Sequence, residues 1–177
     1  ELVRFSGDLT PVPPLGVGTW AWGDRSVWGM GGYDADLDES SIAEAWRRSL
    51  DAGIALFDTA EVYGDGESER IIGRLLAADP TQRDRVVVAT KFMPAPWKVN
   101  VATAMRSALE ASLERLGIEA ADLYQIHGPI SLRSHAAMAE ALAGLHADGL
   151  VRAVGASNYS VKAMGPIDAA LAARHLA

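Results

Sequence analysis

Gly53-Ile54-Ala55-Leu56-Phe57-Asp58-Thr59-Ala60-Glu61-Val62-Tyr63-Gly64 ends a short apolar run on a carboxylate and sets a tyrosine in the loop beyond it. Residues 54–58 read as a strand and residues 59–64 as its exit loop. Two later stretches close in the same manner. Residues 86–91, rich in β-branched side chains, end on Lys91, and residues 122–127 end on His127.

Helical patterns separate these strands. Residues 40–52 are amphipathic, with Asp38 or Ser40 as the candidate N-cap and Gly53 just past the end. Residues 68–78 follow, then residues 101–116, stopped by Gly117, and residues 134–147, stopped by Gly149. Residues 151–157 form a fifth strand and residues 161–175 a last helix. At the front, a strand over residues 15–20 precedes a Gly- and Trp-rich loop reaching about residue 36. Residues 2–12, with Gly7-Asp8 inside them, are expected to form a β-hairpin across one end of the fold.

Regular alternation of strand and helix predicts an α/β fold with a parallel sheet and helices outside it. The spacing from Asp58 to Lys91, and from Lys91 to His127, suits one strand–helix unit of roughly 30 or more residues. Strand parity then sorts the side chains, because residues two apart share a face. Ile54, Leu56 and Asp58 share one; so do Val87, Ala89 and Lys91, and Leu123, Gln125 and His127. Each series ends on a polar group, at the strand end where parallel barrels bind ligands. Val151, Ala153, Gly155 and Ser157 also share a face, and their small side chains leave room for a ligand.

The chain has 177 residues, 49% of them hydrophobic and 22% charged, which predicts a single globular domain over residues 1–177. A net charge of −7 argues against nucleic acid or an anionic membrane as partner. The absence of cysteine excludes disulfides, thiolate catalysis and Cys-ligated zinc, and no metal site is expected. No apolar run is long enough to span a bilayer. A cytoplasmic protein is expected, with its oligomeric state open. The chain begins at Glu1, so any targeting segment is expected to lie outside it.

Taken singly, these residues have plain readings. Asp58 and Lys91 read as an ion pair at a sheet rim, Tyr63 as a packed surface aromatic, and His127 as a satisfied strand-end histidine. Ser157-Asn158 reads as a helix cap before Val161. Glu67 and Glu69 serve a helix N-terminus. Trp22, Trp28 and Trp97 form either an apolar substrate pocket or core and lid packing.

Taken together, four segments resemble the aldo-keto reductase family. They are residues 57–64 with Gly66-Glu67-Ser68-Glu69, then Ala89-Thr90-Lys91, then Asp122-Leu123-Tyr124-Gln125-Ile126-His127, then residues 149–158. Their order and spacing match over nearly the whole chain. The resemblance implies a (β/α)8 TIM barrel that binds NADPH and reduces a small-molecule aldehyde or ketone. It implies that Tyr63 is the proton donor, that Lys91 stabilises the phenolate left behind, and that Asp58 pairs with Lys91. His127 would orient the carbonyl oxygen or help relay the proton. Ser157 and Asn158 match positions that bind the nicotinamide carboxamide. Gly18, Thr19 and Trp20, with Asp58, match positions where the first strands meet cofactor and substrate. Residues 18–24 with Trp28-Gly29 resemble a branch that includes plastid and bacterial reductases, some acting on pyridoxal. Leu150 stands where many members carry Lys, and Gly128-Pro129 is a variant loop.

Five strand–helix units are legible, whereas a (β/α)8 barrel has eight in about 250 residues. The expectation is that these residues are part of a longer protein. In the family, the other three units carry the residue stacked on the nicotinamide and the loops that grip the phosphates. A 177-residue chain alone is expected to bind cofactor poorly, turn over little and associate. Two other functions remain open: a non-catalytic cofactor-binding subunit or inactive fragment, and a barrel enzyme in which Lys91 forms a Schiff base.

Overall fold

The computed structural model describes residues 2–5, 9, 11–23 and 37–176. Strands and helices alternate as β1 (Gly16–Gly18), α1 (Glu39–Asp51), β2 (Leu56–Asp58), α2 (Glu67–Ala78), β3 (Val87–Phe92), α3 (Val101–Leu116), β4 (Ala121–Ile126), α4 (His135–Ala147), β5 (Val151–Ala156) and α5 (Val161–Ala172). The strands form one sheet in the order β1-β2-β3-β4-β5, and every neighbouring pair is parallel. Each helix therefore carries the chain back to start the next strand alongside the last, which is the arrangement of five successive units of a (β/α)8 barrel.

The register bears out the parity argument. Asp58 is paired with Ala89, Ala89 with Leu123, Lys91 with Gln125, and Gln125 with Gly155. On this face Leu56, Ala89, Leu123 and Ala153 pack with Phe5 and Leu9 into a small apolar cluster. The alternate residues point at the helices. Phe57 and Val88 pack with Ile42, Trp46, Ile72 and Leu76, while Phe92, Tyr124, Ile126 and Val154 pack with Met105, Leu109, Met138 and Leu142. Most of the apolar core thus lies between sheet and helices, and the inner face is left for polar groups at the strand ends.

Residue chemistry sets the element ends. Asp38 caps α1, accepting from Ser41 N at 2.8 Å and from Ser40 Oγ at 2.9 Å. Asn100, Ser134 and Ser160 cap α3, α4 and α5. Ser160, not Ser157 or Asn158, is therefore the cap before Val161. Helix α5 stops at Ala172, short of the expected His175, which takes a left-handed φ of 59°. The expected hairpin is seen as an antiparallel Val3–Val12 bridge; its Gly7-Asp8 turn lies outside the described residues.

Helices α2 and α3 cross at Gly73, where a Cβ would stand 2.4 Å from the Arg115 carbonyl oxygen. That approach lets the Arg115 Nε donate to Glu69 Oε2 at 2.7 Å, and Thr90 Oγ1 donates to the other Glu69 oxygen at 2.6 Å. Glu69 lies in the first turn of α2 as expected, but its fully buried carboxylate ties that helix to β3 and α3. Glu67 pairs with Arg70 and Arg74. No described helix is long and apolar enough to cross a membrane.

Candidate active site

Lys91 is the centre of the strand-end rim. Its side chain is 4% exposed, and a buried ammonium needs acceptors for all its protons. Three are supplied. Nζ donates to Asp58 Oδ2 at 2.6 Å, to the Thr59 carbonyl at 2.7 Å and to the Tyr63 hydroxyl at 3.2 Å. The other Asp58 oxygen accepts from Gln125 Nε2 at 3.1 Å. The carboxylate is thus held between β3 and β4 and cannot rotate away from Lys91 without losing a bond.

Tyr63 reaches this cluster through an unusual turn. Gly64, Asp65 and Gly66 all have left-handed φ, at 56°, 53° and 80°. Two glycines adopt that conformation at little cost, and the reversal lets α2 begin immediately beyond the tyrosine. Behind the turn lies a buried hydroxyl cluster. Ser68 Oγ is 2.7 Å from Thr19 Oγ1 and 2.8 Å from Thr59 Oγ1, and it donates to the Thr19 carbonyl at 2.9 Å. The first turn of α2 is pinned to the ends of β1 and β2 by these bonds.

The His127 ring meets the Tyr63 ring edge-on, with centroids 5.5 Å apart. Nδ1 of His127 is buried and has no hydrogen-bond partner among the described residues. Burial first, then the Lys91 ammonium, lowers the His127 pKa from 6.5 to about 4, against an opposing pull from Asp58. The imidazole is therefore neutral at neutral pH. Between 6.5 and 4 the unfolded chain takes a proton that the folded chain refuses. Stability from this residue is complete above the upper value and is lost as pH falls through the window. Denaturant unfolding at neutral and mildly acidic pH should show a larger acid loss in the native protein than in His127→Asn; equal losses would overturn the assignment.

The rim brings Asp58, Tyr63, Lys91 and His127 together. Gly18 is exposed, with open space where a side chain would stand. Thr19 has no exposed surface and is committed to the hydroxyl cluster, so it positions the end of β1 without facing a ligand. Trp20 is half-buried in the turn after β1. Ser157 is half-buried and Asn158 exposed, the latter with a left-handed φ of 60°. Asn158 Nδ2 donates to the His127 carbonyl at 2.7 Å and to Ser157 Oγ at 3.2 Å, joining the ends of β4 and β5.

Of the loop tryptophans, Trp22 is 5% exposed and packs near Phe57, so it belongs to the core and not to a substrate pocket. Trp97 is 79% exposed, and Trp28 lies outside the described residues. The partnership of Gln125 with Asp58 does not follow from the sequence pattern. Parity with His127 puts Gln125 on the correct face, but its reach depends on the β3–β4 register.

The fold has counterparts in known proteins. The Aldo/keto reductase family model matches residues 14–174. A chloroplastic pyridoxal reductase from Arabidopsis thaliana is 39% identical over 160 residues, covering 84% of this chain and 42% of the relative. Aldo-keto reductase YhdN from Bacillus subtilis is 39% identical over 156 residues, covering 85% and 44%. A crystal structure of an aldo-keto reductase from Klebsiella pneumoniae in complex with NADPH superposes with a TM-score of 0.76 at 32% identity, over 94% of this chain and 52% of that one. The chain spans a little under half the length of these two curated relatives. Sequence and overall fold agree across that span, and the chain belongs to the aldo/keto reductase family.

Proposed function

We propose that this protein reduces an aldehyde or ketone to an alcohol, with NADPH as hydride donor and Tyr63 as proton donor. The observation that carries the proposal is the Lys91 ammonium, 2.6 Å from Asp58 and 3.2 Å from the Tyr63 oxygen. Because Lys91 donates to that oxygen, the phenolic proton is left for another acceptor. A substrate carbonyl oxygen beside Tyr63 would take it, and the cation would stabilise the phenolate that remains. A neutral His127 has one N–H to give the same oxygen. This favours orientation over the relay of a proton from an imidazolium.

The residues present fit the nicotinamide end of the cofactor. Glycines stand at Gly18 and Gly155 on the inner rim, and the end of β5 offers the Ser157 hydroxyl and the Asn158 amide oxygen to a carboxamide, the amide nitrogen being bound to the His127 carbonyl. When bound, NADPH supplies the hydride that reaches the carbonyl carbon. The choice of NADPH over NADH is supported by the Klebsiella relative solved with NADPH. Similarity to a pyridoxal reductase nominates pyridoxal as the first aldehyde to try. The Schiff-base alternative is disfavoured, since an ammonium giving three hydrogen bonds has no lone pair with which to attack a carbonyl.

Incubation with NADPH and a panel of aldehydes and ketones should consume cofactor and yield alcohol in equal amounts. Cofactor binding without turnover of any carbonyl would support the non-catalytic subunit instead. Since the 177 residues alone are expected to bind cofactor poorly, failure to bind NADPH would sink both readings when it is seen in a protein with all eight strand–helix units.

A further inference from the structure

Glu61 lies two residues before Tyr63, yet neither the expected tetrad nor the cofactor positions include it. Beyond the end of β2 the parallel ladder to β3 continues, with Thr59 N donating to the Ala89 carbonyl at 2.8 Å and Glu61 N to the Lys91 carbonyl at 3.4 Å. The next amide in that spacing is Met93 N. It donates at 2.6 Å to the Glu61 side-chain Oε1. The carboxylate thus stands in for a strand at the point where the chain turns out of the sheet.

Three further features make this a clamp. Lys98 Nζ reaches the same oxygen at 3.2 Å and lies 4.3 Å from the Phe92 ring centroid. The Glu61 and Lys98 side chains are only 15% and 25% exposed, so solvent screens the pair less than it would a surface pair. Tyr63 N closes a turn on the Ala60 carbonyl at 3.1 Å, and Glu61 is inside that turn. Backbone and carboxylate of Glu61 therefore bracket Lys91, one bonded to its carbonyl and the other to the amide two residues on.

We propose that Glu61 is a positioning residue: it holds the loop bearing Tyr63 against the β3 end bearing Lys91, and so sets the distance between phenol and ammonium. The catalytic part of this inference rests on the proton-donor reading of Tyr63. A misplacement of about 1 Å in such a pair can cost on the order of 100-fold in rate.

The test compares Glu61→Ala and Glu61→Gln, each measured two ways. In the free protein, hydrogen exchange at the Met93 and Tyr63 amides should speed up in Glu61→Ala and stay near native in Glu61→Gln, whose amide oxygen still accepts. In turnover, Glu61→Ala should lower kcat roughly 10- to 100-fold with KM within about threefold, and Glu61→Gln should recover most of the loss. Unchanged exchange in Glu61→Ala overturns the proposal whatever the rate does. Faster exchange with native kcat overturns it also, leaving a loop anchor only. Full turnover in Tyr63→Phe would instead refute the proton-donor reading, and the exchange measurement would then decide the clamp alone.

Discussion

Tyr63→Phe is expected to reduce kcat by roughly 100- to 10,000-fold, the range typical for loss of a positioned general acid. The substitution removes one oxygen and little else. The ring that packs edge-on against His127, 5.5 Å away, is kept, and so is the ring face that lies 4.8 Å from the Lys91 ammonium. Lys91 loses one of three acceptors but retains Asp58 and the Thr59 carbonyl. Unfolding free energy and NADPH affinity should therefore stay close to native, and KM should change far less than kcat. Steady-state kinetics with an aldehyde, together with cofactor titration, check this. A loss under about tenfold would mean that the proton reaches the alkoxide from elsewhere, His127 or solvent, and that Tyr63 is a wall of the site.

Three of the four candidate rim residues are legible as strand-end polar groups; Tyr63, in the loop after β2, enters the set only through the family resemblance. Asp58, Lys91 and His127 close three apolar runs of the same parity, and a period of two is insensitive to where a strand starts. The strands do differ at their margins: β2 begins at Leu56 and not Ile54, and β4 ends at Ile126 and not His127. Neither change moves a side chain to the other face. What could not be read depends on contacts between distant segments. Gln125 meets Asp58 only because Lys91 and Gln125 are paired in the β3–β4 register. Glu61 meets Met93 only because the loop runs on beside β3 past the end of β2. Glu69 suits the first turn of a helix by its charge, and nothing local reveals that Arg115 will reach it. The Pro80–Arg85 turn is likewise not legible in the sequence. Its sequence carries no apolar period, and its role is to deliver Arg83 to Asp122.

That last contact supports the largest expected effect on stability. Asp122 is the second residue of β4, at the end of the sheet opposite the rim that holds Lys91, and its side chain is 2% exposed. It accepts from Arg83 Nη1 and Nη2 at 2.9 and 3.0 Å, from Val88 N at 2.8 Å, and lies 3.3 Å from Arg152 Nη1. One carboxylate thus joins the approach to β3, β3 itself, β4 and β5. Asp122→Ala leaves a buried sheet amide without its acceptor and the Arg83 guanidinium without its counter-charge, and the expected destabilisation is about 3–5 kcal/mol in urea unfolding. Asp122→Asn keeps the shape and one acceptor, and should cost less. Turnover per folded molecule should be near native in both, since Asp58, Lys91 and His127 leave the sheet at its other end. A loss below about 1 kcal/mol would mean that the bonds from Arg83 to the Val86 and Ala120 carbonyls hold this end unaided. A fall in kcat parallel to stability would mean that the two ends of the strands are coupled, and that the rim geometry depends on the ion pair beneath it.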